Sequence, residues 1–103
     1  MFSYELSPEA FADLLDIADY TRVRWGMAQV TKYRDQLEQC AEALATGKGA
    51  IKNLSHIRPG LRARRCQHHY IYCVIRGDKP PLVIAILHES MDLMARIGER
   101  FER

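Results

Sequence analysis

Residues 62–73 read RARRCQHHYIYC, a run that sets arginines, two cysteines, adjacent histidines and two tyrosines side by side. Three kinds of chemistry are open to it. Cys66, His68, His69 and Cys73 are competent zinc ligands. On a continuous strand, however, Cys66 and His68 share one side while His69 and Cys73 share the other, and no CxxC or HxxxH elsewhere completes a site. A cysteine nucleophile is the second. Cys66 lies near a strand end, where exposure and arginine neighbours would lower its pKa, but no recognisable acid stands by to orient a histidine base. Cys73, between Tyr72 and Val74, reads as a small buried hydrophobe. The third reading is ordinary strand physics. Ile71, Cys73 and Ile75 pack one face and Tyr70, Tyr72 and Val74 the other, with histidines and arginines at a polar entrance. This last reading accounts for the most residues, and it assigns no catalytic group, no metal and no cofactor.

The chain around this run has 103 residues and is 48% hydrophobic, enough for a single domain over 1–103 with one modest core. It contains no apolar run long enough to span a bilayer. The opening Met1-Phe2-Ser3-Tyr4-Glu5 lacks the basic-then-apolar pattern of a signal peptide. Cys40, Cys66 and Cys73 are odd in number and form no CxxC pair, so reduced thiols in a cytoplasmic protein are expected rather than a disulfide framework. Net charge is only +2, but its layout is lopsided. The first twenty residues carry Glu5, Glu9, Asp13, Asp16 and Asp19 without a cation, whereas 45–76 carry Lys48, Lys52, Arg58, Arg62, Arg64, Arg65 and Arg76 without an acid. Such a stretch is either a solvated face or an attractant for an acidic partner.

Local patterns then place the elements. Tyr4 to Leu6 is extended. Ser7-Pro8-Glu9 is a helix start, with a capping hydroxyl, proline at the first position and an anion where the dipole favours it. Phe11, Leu14, Leu15 and Ala18 recur at helical spacing, and Gly26 stops the helix after Trp25, a residue expected to lock the turn. Val30, Tyr33, Leu37, Cys40, Ala41 and Leu44 form the stripe of a second helix ended by Gly47. So short a link predicts a helical hairpin. Residues 45–60 read as a loop pinned by Ile51, Leu54 and Ile57. Leu61 to Arg65 alternates as an outer strand, His69 to Ile75 reads as a central one, and 76–81 as a turn. Leu82 to Leu87 is apolar on both faces. Ser90 is positioned to cap a last helix with Leu93, Met94, Ile97 and Phe101 on its apolar stripe, and Met91 and Met94 read as core. The order β-α-α-β-β-β-α defines an α+β fold with the hairpin packed on a small, mainly antiparallel sheet.

With the elements in place, the chain resembles the ParE toxins. The likeness runs through LSPEAFADLLDIADYTRVRWG, AQVTKYRDQLEQCAEALA, RPGLRARRCQHHYIYCVI and VIAILHESMDLMARI, covering nearly the whole chain in order. Trp25-Gly26-x-x-Gln29 together with Ile86-Leu87-His88-x-x-Met91-Asp92 is its most specific part. Plasmid-maintenance members are the most similar. The resemblance implies a RelE/ParE-like fold and the toxin of a type II toxin–antitoxin system. It further implies poisoning of DNA gyrase by binding, without a reaction of the toxin's own, and neutralisation by a ParD-type antitoxin within a hetero-oligomer.

The related RelE branch, which cuts messenger RNA on the ribosome, is the alternative. That chemistry needs cations around the scissile phosphate and a proton shuttle. The end of the last strand here, His88-Glu89-Ser90-Met91-Asp92, supplies a histidine but no cation and two carboxylates. For the target-binding face we single out Arg58, Arg62, His88, Glu89, Met91 and Asp92. For the antitoxin-binding face we single out Leu15, Tyr20, Trp25, Tyr33, Arg62, Arg64 and Arg65, where the arginines would steer acidic antitoxin residues.

Overall fold

The structure, a computed structural model, describes residues 3–101, so the outermost two residues at each end of the expected 1–103 domain lie outside it. Eight elements follow in chain order: β1 (Glu5–Leu6), α1 (Pro8–Trp25), α2 (Met27–Thr46), β2 (Lys52–Asn53), β3 (Leu61–Cys66), β4 (His69–Val74), β5 (Leu82–His88) and α3 (Leu93–Phe101). The strands form one sheet in the order β1-β5-β4-β3-β2, in which only β1–β5 is parallel. This is the expected α+β arrangement with one strand more. β2 pairs Lys52 and Asn53 with Ala63 and Arg62 inside what reads as loop, so β3 is not an outer strand. Two residues are too few to show an alternating pattern.

Local chemistry explains the helix ends. The Ser7 hydroxyl accepts from the Ala10 amide at 3.0 Å, and Pro8 follows it. Gly26 has φ 87°, a conformation that side chains disfavour, and it both closes α1 and opens α2. One residue thus reverses the chain into a hairpin. α3 begins later than expected, because the cap is Asp92, whose carboxylate accepts from the Ala95 amide, while Ser90 bonds His88 instead.

The sheet buries both faces. Against the hairpin lie Ala10, Leu37, Ala41, Leu44, Cys66, Ile71, Cys73, Val83 and Ile86. Leu54, Leu61, Ala63, Tyr72, Ile84, Ala85 and Leu87 form the second layer with Ile97 of α3. The two faces expected for β4 are therefore correct. A bulge sits where Tyr72 faces Ala85 and Cys73 faces Val83, and the successive residues Ile84 and Ala85 both enter the second layer there.

Four apolar expectations fail. On α1 the inward stripe is Ala10, Leu14, Ile17 and Thr21, which turns Phe11 and Leu15 outward. In the loop, Leu54 is buried but Ile57 is exposed. Trp25 does not lock the turn: it is 68% exposed, and Met91 and Met94 also lie at the surface. Cys66, expected near solvent, is buried. It is joined by a disulfide to Cys40 of α2, with Cα atoms 6.1 Å apart, whereas Cys73 is the free thiol. The expectation of three reduced cysteines is therefore corrected. An odd count hides a pair brought together from 26 residues apart by helix–strand packing.

Candidate functional site

Ile17, Thr21 and Trp25 recur every fourth residue, so one face of α1 presents them together. Gln29 and Tyr33 repeat that spacing on α2. Because Gly26 folds the two helices against each other, both faces look into one space, which the β3–β4 turn and the ends of β4 and β5 close with His68, His69 and His88. The result is an open cavity of about 640 Å³ whose wall is largely apolar, completed by Tyr20, Arg24, Asp16, Ser90 and Met91. Two of its lining aromatics, Tyr20 and Trp25, are 62% and 68% accessible, and Val23 and Met27 on the same two helices are exposed as well. The Arg24 guanidinium lies 5.3 Å from the Tyr20 ring centre, which covers part of that ring with charge.

The floor is a hydrogen-bonded aromatic cluster. The Tyr33 hydroxyl and His69 Nδ1 are 2.5 Å apart, and the same hydroxyl lies 3.4 Å from the Cys66 carbonyl. His88 meets the His69 ring edge-on at 5.2 Å and stands 6.4 Å from His68. Burial first, then the neighbouring His88 and His68, push His69 down to about 4. It is therefore neutral at pH 7 and can accept the tyrosine proton in a hydrogen bond. Burial, with Glu89 adding to it, raises Tyr33. His88 Nδ1 is held at 2.7 Å by the Ser90 hydroxyl. Glu89 takes both His68, at 2.8 Å, and Arg65, at 2.6 Å, and these partners hold its carboxyl below the usual range.

The alternation assumed for residues 62–73 breaks at Gln67, whose φ of 57° turns β3 into β4. Cys66 therefore faces His69 across the hairpin, on the same side of the sheet as Ile71 and Cys73, rather than alternating away from it.

The two expected residue sets are redistributed. From the antitoxin set, Tyr20, Trp25 and Tyr33 converge on the cavity, while Leu15 is exposed on α1. From the target set, His88 and Met91 join the same cavity, and Asp92 serves as a helix cap. The arginines do not form one patch. Arg58 lies over the Phe101 ring at 4.4 Å, at the end of α3. Arg62 stands beside Gly47, and Arg64 donates to the Lys48 carbonyl at 3.0 Å. Both thus bring positive charge to the C-terminal end of α2, whose own last turn has no basic residue. Arg65 is tied to Glu89. Asp16, Ile17, Thr21, Arg24, Gln29, His68, His69 and Ser90 belong to the cavity but to neither set; the four-residue spacing on both helices is the signal that could have found Ile17, Thr21 and Gln29.

Helical hairpin, five-stranded sheet and covering helix together define a class of small α+β domains. A solved structure described as the chromosomal ParDE TA system from P. aeruginosa superposes with a TM-score of 0.65 over 85% of this chain and 96% of that one, at 22% identity, which shows the shared fold. Residues 4–93 match the family described as the ParE toxin of the type II toxin–antitoxin system parDE, and the chain belongs to that family. Toxin ParE of Escherichia coli is 50% identical over 102 residues, 99% of each chain. Toxin ParE1 of Caulobacter vibrioides is 33% identical over 95% of this chain and 100% of its own length. Toxin ParE1 of Mycobacterium tuberculosis is 32% identical over 87% of this chain and 92% of its own.

Proposed function

We propose that this toxin acts by binding, poisoning DNA gyrase so that replication stops, and that a ParD-type antitoxin neutralises it by covering the aromatic cavity and its rim. The observation that carries the proposal is the state of the polar groups around that cavity. Arg65 and His68 are paired to Glu89, His88 to Ser90 and Tyr33 to His69. Arg58 and Arg62 lie away from these groups, at α3 and at the end of α2. Stabilising a cleaving phosphate needs several cations converging on one point, whereas Arg65 is held by Glu89, Arg24 lies against the Tyr20 ring, and Arg58 and Arg62 stand elsewhere. The exposed aromatics and methionines are the surface type that anchors a partner's amphipathic segment.

The role of the target set, Arg58, Arg62, His88, Glu89, Met91 and Asp92, is proposed on the same footing, with His88, Glu89 and Met91 as its central part. A gyrase supercoiling and cleavage assay, run beside a ribosome-dependent messenger-cleavage assay, tests the reading. Accumulated cleaved DNA with intact messages is expected. Cut messages with unaffected gyrase would replace it with the RelE-type alternative.

A further inference from the structure

Cys40 and Cys66 link α2 to the end of β3, and we propose that they form a reversible redox modification site that clasps the helical hairpin to the β3–β4 turn. The surroundings are furnished for both states. In the oxidised state the two sulfurs are bonded to each other. In the reduced state the Cys66 thiol has an acceptor waiting, since its Sγ lies 3.4 Å from the Gln36 carbonyl. A buried thiol with a ready partner can lose the cross-link without leaving an unsatisfied polar group.

Access is divided between the two cysteines. Cys40 is half-buried and Cys66 is 3% exposed. A small-molecule disulfide such as oxidised glutathione therefore reaches Cys40 first. The Cys40 thiolate attacks one of its sulfurs, forming a mixed disulfide and releasing one glutathione thiol. The Cys66 thiolate then attacks the Cys40 sulfur and expels the second glutathione. The cysteines together give up two protons and two electrons, and the oxidised glutathione takes both. Cys73 does not compete, because it is fully buried and burial pushes its thiol up to about 11.

The clasp acts on a particular place. Seven residues before Cys40 on the same helix stands Tyr33, bonded to His69, while Cys66 is the strand partner of His69. Oxidation therefore fixes one wall of the cavity covalently, two helical turns from a hydrogen bond that holds the same elements. The inference does not depend on gyrase being the target.

The full-length chain is equilibrated in glutathione buffers from fully reduced to fully oxidised, denatured under acid, alkylated and weighed. Three labels are expected on the reduced chain and one on the oxidised chain, with the peptide map placing the link at Cys40–Cys66. Oxidation is expected to raise Tm by roughly 8 °C or more and to slow amide exchange in α2, and neither effect should occur in Cys40→Ser or Cys40→Ala. Three labels in every buffer would overturn the proposal. So would a link that glutathione cannot reduce, or one that forms without changing Tm.

Discussion

Burial between two other imidazoles makes His69 a proton-linked residue even without a catalytic role. Its pKa falls from 6.5 to about 4 on folding. Between those values the unfolded chain binds a proton that the folded chain refuses, so stability is complete above about pH 6.5 and declines as pH falls towards 4. Each unit is worth about 1.4 kcal/mol, and screening at a partly exposed ring reduces the total to on the order of 1–2 kcal/mol. Urea titrations at pH 7 and pH 5 are expected to show that loss in the native chain and a smaller one in His69→Gln. Equal losses would mean that other groups carry the acid sensitivity. At the same scale, Trp25 is 68% exposed, so Trp25→Ala should leave Tm within a few degrees of native. The same change is expected to weaken antitoxin binding tenfold or more, as loss of an aromatic anchor does. Calorimetric titration with the antitoxin separates the two effects.

Elements were legible in the sequence wherever one short-range rule decided them. Ser7-Pro8, Gly26 and Gly47 marked helix ends because capping and positive φ are local matters, and the β4 faces followed from alternation. What escaped depended on partners far along the chain. β2 exists only because β3 offers an edge to it, and the Cys40–Cys66 link exists only because α2 packs over β3. The cavity is legible only in part: Tyr20, Trp25, Tyr33, His88 and Met91 stand out in the sequence, but on two separate expected faces, since which helix face meets which strand end is a tertiary fact. The same dependence governs the free edge of β5. β1 covers only Leu82 and Val83. Beyond it, the Asp13 carboxylate accepts from the Ile86 amide at 2.9 Å, and Arg100 donates to the Ile84 carbonyl at 2.8 Å while pairing with Asp13. Two side chains from opposite layers thus take the place of a neighbouring strand and blunt the edge. Their side chains are only 14% and 18% exposed, so removing one strands the other in a poorly solvated place. Asp13→Ala is expected to lower stability by about 2–4 kcal/mol and to speed exchange of the Ile86 amide. Unchanged exchange at Ile86 would show that the pair is not what protects the edge.

At the scale of the molecule, two cores lie back to back across the sheet, while the C-terminal half of α1, the start of α2 and the segment after β5 leave apolar side chains in water. Tyr20, Val23, Trp25, Met27, Met91 and Met94 are all exposed, a concentration that internal packing does not require and that an antitoxin would cover. A ligand that binds only the folded state stabilises it by about 2.7 kcal/mol at a hundredfold excess over its Kd. For a chain of this length that corresponds to roughly 10 °C in Tm. The free toxin is accordingly expected to self-associate at high concentration and to become monodisperse, with a Tm higher by that amount, when a ParD-type antitoxin is added. Tyr20→Ser combined with Val23→Ser should suppress the self-association without lowering the free Tm, because neither side chain is part of either core. The same double variant should lose most of the antitoxin-induced rise, since it removes exposed apolar surface of α1 on which the antitoxin would rest. Sedimentation velocity and thermal melts on the two proteins, with and without antitoxin, decide the point. A variant that keeps the full Tm rise would place the antitoxin on some other face of the toxin.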